Sequence, residues 1–157
     1  MKTIHSVVLA VIVALSTSRP ALANTVTVSN AAELGAAIST AQGGDTIVLQ
    51  SGSYGDLVIS GLTPSATVAI RAAVGATPVF THIRTQNSSH WTVAGVAVKP
   101  RYTSGADGTT AVILDGDNLS IEDSRIDYVD DVTPWSIADW LARAGNGISL
   151  DGTHLIA

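Results

Sequence analysis

The chain has no cysteine among its 157 residues. That excludes structural disulfides, thiolate metal sites and a lipid-modified N-terminal cysteine. Aromatic residues make up only 4 % and charged residues 13 %. Large aromatic anchors therefore cannot carry the core. Positive charge is scarcest, with eight Lys and Arg against 13 Asp and Glu. No basic stripe is present of the kind a duplex nucleic-acid binder needs, so nucleic acid is not an expected partner. The longest apolar run, Val7 to Leu15, has nine residues. A helix needs about 20 to span a bilayer.

That short run is informative in its context. Lys2 precedes it, and Ala21-Leu22-Ala23 follows with the small-x-small pattern of a processing site. Residues 1–23 therefore read as an export signal. The expected location is secreted or periplasmic, with no membrane association after cleavage. Residues 24–157 are then one domain. With Lys2 and Arg19 removed, six basic residues remain against 13 acidic ones, a net charge of −7. The imbalance is local: residues 24–99 carry three charges of each sign, and residues 100–157 carry ten acids and three bases.

Small and β-branched residues dominate, which suits many flat strands. Thr25-Val26-Thr27-Val28 alternates with period two. Asn30 and Glu33 stand at a capping-box spacing. Leu34, Ala37, Ile38 and Ala41 form one helical face, and Gly43-Gly44 is expected to end the helix in the left-handed conformation. This predicts a cap helix at about 30–42. Short apolar strands follow at 46–50, 57–60, 67–71, 79–84, 91–98, 111–115, 119–126 and 148–150, separated by Gly and Pro turns.

An internal repeat separates a solenoid from a sandwich. Residues 112–121 read VILDGDNLSI and residues 148–157 read ISLDGTHLIA. Leu-Asp-Gly recurs, and Asn118-Leu119 falls on His154-Leu155. One period earlier, His90-Trp91 falls on Asn118-Leu119. Successive copies stand about 28 and about 36 residues apart, within the solenoid range. The inequality places inserted loops at 99–110 and 127–147. Asp115 and Asp151, each before Gly, read as turn residues. The repeats, together with the family resemblance described next, predict an all-β fold: a right-handed parallel β-helix with an N-terminal capping helix. Ala157 falls within the third copy of the repeat, so the expectation is the N-terminal part of a longer solenoid.

The stretch AAELGAAISTAQGGDTIVLQSGSYGD, residues 31–56, resembles the cap and first coil of secreted right-handed parallel β-helix (pectin-lyase-like) proteins. It is closest to the family-six polysaccharide lyases, the alginate lyase and chondroitinase B group. The resemblance implies an exported carbohydrate-active protein that binds, and at full length cleaves by β-elimination, an acidic polysaccharide. The Lys and Arg that act in that family lie in coils beyond residue 157, so no catalytic role transfers to a residue here. The alternative is a non-enzymatic β-helix surface protein, an adhesin or a carbohydrate-binding module.

Candidate site residues follow from charge and position. Lys99, Arg101 and Arg125 can meet a uronate carboxylate. Asp115, Asp117, Glu122, Asp123, Asp127, Asp130 and Asp131 form one acidic cluster along the chain. Of these, Asp127, Asp130 and Asp131 are candidates for calcium, a hard cation that takes oxygen ligands. Solvated loop acids are the simpler explanation of the cluster, and its spacing matches no EF-hand loop. Asp130-Asp131 resembles the adjacent aspartates of β-helix polygalacturonases, whose other signatures are absent. An inserted helix is predicted at 134–144. Thr133 is its expected cap and Pro134 its first residue, with Ile137, Trp140, Leu141 and Ala144 as the packing stripe. Trp135 lies off that stripe and is a candidate for stacking on a sugar ring. His82, His90 and His154 do not stand at zinc-binding spacings.

Overall fold

The computed structural model describes residues 22–100, 110–127, 133, 135–139 and 147–157. Among these, ten strands and one helix of more than a single turn account for the regular structure: β1 (Thr25–Val28), α1 (Ala31–Thr40), β2 (Thr46–Leu49), β3 (Gly52–Ser60), β4 (Val68–Ala72), β5 (Pro78–Gln86), β6 (Ser88–Ala94), β7 (Ala97–Val98), β8 (Val112–Glu122), β9 (Arg125–Ile126) and β10 (Ile148–Ile156). The protein is all-β in class. Every strand pairing among the described residues is parallel, within one continuous hydrogen-bonded sheet.

The registers resolve that sheet into three ladders. One runs from β1 through β2, β4 and β6 to the second half of β8 and the end of β10. A second stacks the start of β3, the start of β5, β7 and β9. A third stacks the later parts of β3 and β5 on the start of β8 and of β10. The chain visits first, second and third ladder in turn and then returns to the first. Leu150 pairs with Leu114, Gly152 with Gly116, Leu155 with Leu119, and Trp91 with Leu119. The repeat written in the sequence is therefore a physical stack.

Like packs on like along these columns. Ile47, Ile70, Val93 and Ile121 are successive partners, and all are buried. So are Val68, Trp91 and Leu119. Strands buried on one face need apolar residues at every second position, and the aligned register places them in one core. Trp91 fits because its indole N–H donates to the Leu62 carbonyl at 3.1 Å, as a buried indole requires. Tyr54 stacks obliquely on Phe80, with ring centroids 5.4 Å apart.

Helix α1 lies over the first turns of chain, against β1, β2 and β3. Leu34, Ala37 and Ile38 are its buried face. Asn30 caps it by accepting from the Glu33 N–H at 3.0 Å. Glu33 reaches one residue further back than in a standard capping box, accepting from the Ser29 N–H at 2.7 Å. The helix does not end on the left-handed Gly43-Gly44 pair that the sequence predicts. Ala41 already turns extended (φ −60°, ψ 138°), and the positive φ of +95° falls on Gly44.

The repeat's glycines are not simple turn residues. Gly116 and Gly152 lie inside strands, with φ of +139° and +142°. A Cβ on Gly116 would stand 1.8 Å from the Ser88 carbonyl oxygen, and one on Gly152 1.7 Å from that of Gly116. Only glycine permits this approach of stacked backbones. Asp115 and Asp151 accordingly sit in register within strands. Two residues beyond each glycine the backbone turns left-handed, at Asn118 (φ 53°) and His154 (φ 53°), with His90 (φ 61°) in the same column. The histidines there are corner residues.

Candidate functional site

Both long insertions leave the stack at the same corner. Residues 99–110 depart from β7 and return at β8, and residues 127–147 depart from β9 and return at β10. In the shorter turns the same corner is crossed at Tyr54–Asp56 and at Thr81–His82. Asp56 and His82 are register partners, and His82 Nδ1 lies 3.0 Å from an Asp56 carboxylate oxygen. Sequence reasoning missed this pair, because a full circuit of chain separates its members and only the register joins them.

Beside the corner, over the ladder of β5, β7 and β9, lies a cleft of about 450 Å³. Ala76, Thr77, Val79, Val96 and Ala97 form its walls and floor. Its charged residues are Lys99, Asp123, Arg125 and Asp127. Lys99 and Asp127 follow β7 and β9 at equivalent points: the Lys99 N–H donates to Phe80 at 2.8 Å and the Asp127 N–H to Val98 at 2.9 Å. One circuit of chain thus places a cation directly beneath an anion.

Asp127 organises this group. Arg125 Nε donates to Asp127 Oδ1 at 2.5 Å, and Lys99 Nζ lies 3.4 Å from Oδ2. The Arg125 hydrogen bond, with a lesser contribution from Lys99, holds the Asp127 carboxyl below the usual carboxylate range. Its side chain is 13 % exposed, whereas that of Arg125 is 80 % exposed. Oδ2 is buried without a hydrogen bond of its own, despite the neighbouring ammonium. Nε is the only side-chain atom of Arg125 engaged among the described residues. The two terminal nitrogens, which form the planar fork suited to a carboxylate, face no partner among those residues.

Lys99, Arg125 and Asp127 are thus brought together. Arg101, Asp130 and Asp131 lie outside the described residues. Among the described residues no group of three or more His, Asp or Glu is placed to hold a metal ion. Asp127 is engaged by both Arg125 and Lys99. Trp135 is half-buried, and the three following positions are exposed. Ile137, expected on the packing stripe, is 81 % exposed. Residues 137–139 are helical. Their cap is Ser136, not Thr133: Ser136 Oγ accepts from the Asp139 N–H at 3.2 Å, and Asp139 accepts from the Ser136 N–H at 3.0 Å. Trp140, Leu141 and Ala144 lie outside the described residues.

No helix among the described residues is long and apolar enough to cross a membrane. No protein-family model matches the chain, and no curated protein sequence matches it.

Proposed function

We propose that this chain is an exported right-handed parallel β-helix protein that binds an acidic polysaccharide in the cleft over β5, β7 and β9. The three stacked ladders, the capping helix and the likeness of residues 31–56 to the family-six polysaccharide lyases support the architecture. The signal-like residues 1–23 support export. One observation carries the binding site: among the described residues, Asp127 orients Arg125 through Nε and leaves its fork open in a cleft of about 450 Å³. A uronate carboxylate matches that fork. The charges of Lys99, Arg125, Asp123 and Asp127 balance, so recognition rests on directed hydrogen bonds rather than on a strong positive field.

Within this cleft Asp127 is suited to holding a ligand rather than to abstracting a proton. β-Elimination needs a base to take the C5 proton. A carboxylate whose pKa is lowered by two cations is a poor one. The test is titration with oligouronates by calorimetry. The wild type should bind, and Arg125→Ala should weaken binding by about tenfold or more. Equal affinity in the two would refute this site. Release of unsaturated, ultraviolet-absorbing uronate would instead establish the lyase reading.

A further inference from the structure

A second groove lies on a different face, over the ladder of β3, β5 and β8. It is lined by Arg84, Thr85, Gln86, Ile113 and Asp115 and has a volume of about 230 Å³. Its origin is visible in the register. Ile83 pairs with Val112 on β8, but Ser88, five positions on, pairs with Gly116, only four positions on. The lower strand therefore carries one residue too many. Asn87, with φ of 48°, takes up the excess as a bulge. Backbone pairing of β5 with β8 stops at Arg84 and Ile113. The strands part there, and the buried Thr85 hydroxyl fills the gap, accepting from the Asp115 N–H at 2.9 Å and donating to the Asp115 carbonyl at 3.3 Å.

The outward side chains around this opening are not satisfied by one another. Arg84 and Asp115 are half-buried and line the same groove, yet neither side chain has an ion pair or hydrogen bond among the described residues. Gln86 is exposed and likewise has no side-chain partner there. Strand spacings of about 4.8 Å across and about 6.6 Å along put the Arg84 and Asp115 backbones roughly 8 Å apart on the diagonal. The apolar Ile113 lies beside Arg84.

We infer that this groove is a binding site for a single ring-form hydroxy-acid, a uronic acid residue. Arg84 takes the carboxylate through its fork. Asp115 and Gln86 take ring hydroxyls, and Ile113 packs against the C–H face. Opposite charges held apart in one groove disfavour a plain anion, which would face Asp115, and a plain cation, which would face Arg84. The groove is smaller than the roughly 300–1,000 Å³ of pockets for drug-sized ligands, so it takes one ring, not a chain. The site shares no residue with the cleft over β7 and β9 and does not depend on the reading of that cleft.

The test is an NMR titration of the full chain with methyl glucuronide, using methyl glucoside as the neutral control. Amide shifts should localise to residues 83–86 and 112–115. Arg84→Ala and Asp115→Asn should each weaken them by about tenfold, Arg125→Ala should leave them unchanged, and methyl glucoside should produce none. A separate loss of oligouronate binding in Arg125→Ala would report on the other cleft alone. Unchanged titration in both Arg84→Ala and Asp115→Asn, each checked to be folded by its amide spectrum, would overturn the site. So would absence of shifts at residues 83–86, or equal binding of the neutral sugar.

Discussion

Gly116→Ala puts the stacked backbone to its hardest test. The new Cβ would stand 1.8 Å from the Ser88 carbonyl oxygen, well inside the 3.0 Å that real Cβ atoms essentially never breach. The obstacle is backbone, so no side chain can swing aside. Relief requires β6 and β8 to separate by roughly 1 Å at this point. Ladder hydrogen bonds of about 2.9 Å would then stretch to about 4 Å, beyond useful range. Two lost bonds with buried donors and acceptors cost about 2–4 kcal/mol. The positive φ of +139° adds about 1 kcal/mol for a residue with a side chain. The expected loss is about 4 kcal/mol, at the exceptional end for one substitution. Gly75→Ala is the control, because φ is +76° but no atom lies within 4 Å of its Cβ. It should lose only about 1 kcal/mol. Urea unfolding followed by tryptophan fluorescence measures both. If the two variants unfold within about 1 kcal/mol of each other, the close approach of the stacked backbones is wrong.

Other outcomes follow from single contacts. The Tyr54 hydroxyl shares its proton between the carbonyls of Val28 at 2.9 Å and Gln50 at 3.0 Å; Tyr54→Phe should cost about 1–2 kcal/mol in urea unfolding. Thr85→Val keeps the shape but leaves the Asp115 N–H without its acceptor; it should cost about 1–3 kcal/mol in the same assay. Glu33 is held below its ordinary pKa by the Ser29 N–H, and Asp45 by the N–H groups of Gln42 and Asn24. A lowered folded-state pKa stabilises above the unfolded value and is lost as pH falls through the folded one. The N-terminal region with α1, and the contacts of Asp117 in β8 and of Asp127 after β9, whose carboxyls are likewise held low, should therefore lose hydrogen-exchange protection first as the pH drops below about 4, while β4 and β6 keep theirs. Uniform loss of protection would refute this.

Much of the fold was legible because the stack of parallel strands is written twice, as strand periodicity and as a repeat. Thr25–Val28 shows period two in sequence and is β1 in the structure. Leu-Asp-Gly at 114–116 and 150–152 sets the register of β8 on β10 without any knowledge of coordinates. The role of the glycine was not legible, because its reason lies in the Ser88 carbonyl, on the preceding turn of the stack. Asp-Gly in isolation is a turn signal, and only stacking makes it a point of contact between backbones. The helix cap at Ser136 was missed for a different reason. Thr133-Pro134 is a strong local start signal, but Ser136 and Asp139 complete a reciprocal pair one turn later, and the exposed Ile137 shows that the apolar stripe did not set the orientation there.

The candidate sites were legible only in part, and the limit is physical. Lys99, Arg125 and Asp127 could be chosen as charged residues near loop roots, but a whole circuit of chain separates Lys99 from the other two, and only stacking makes them one cluster. Stacking also changed their meaning. Lys99 and Arg125 looked like two cations open to a uronate; Asp127 engages both, and what remains open among the described residues is the terminal fork of Arg125. Arg84 and Asp115 show the reverse. Each is ordinary in its own segment, yet the one-residue mismatch at Asn87 parts their strands and leaves both charges facing one groove. In a stack, function resides in differences between successive turns: identical residues build the core, and a residue too many, or a loop inserted, opens the surface.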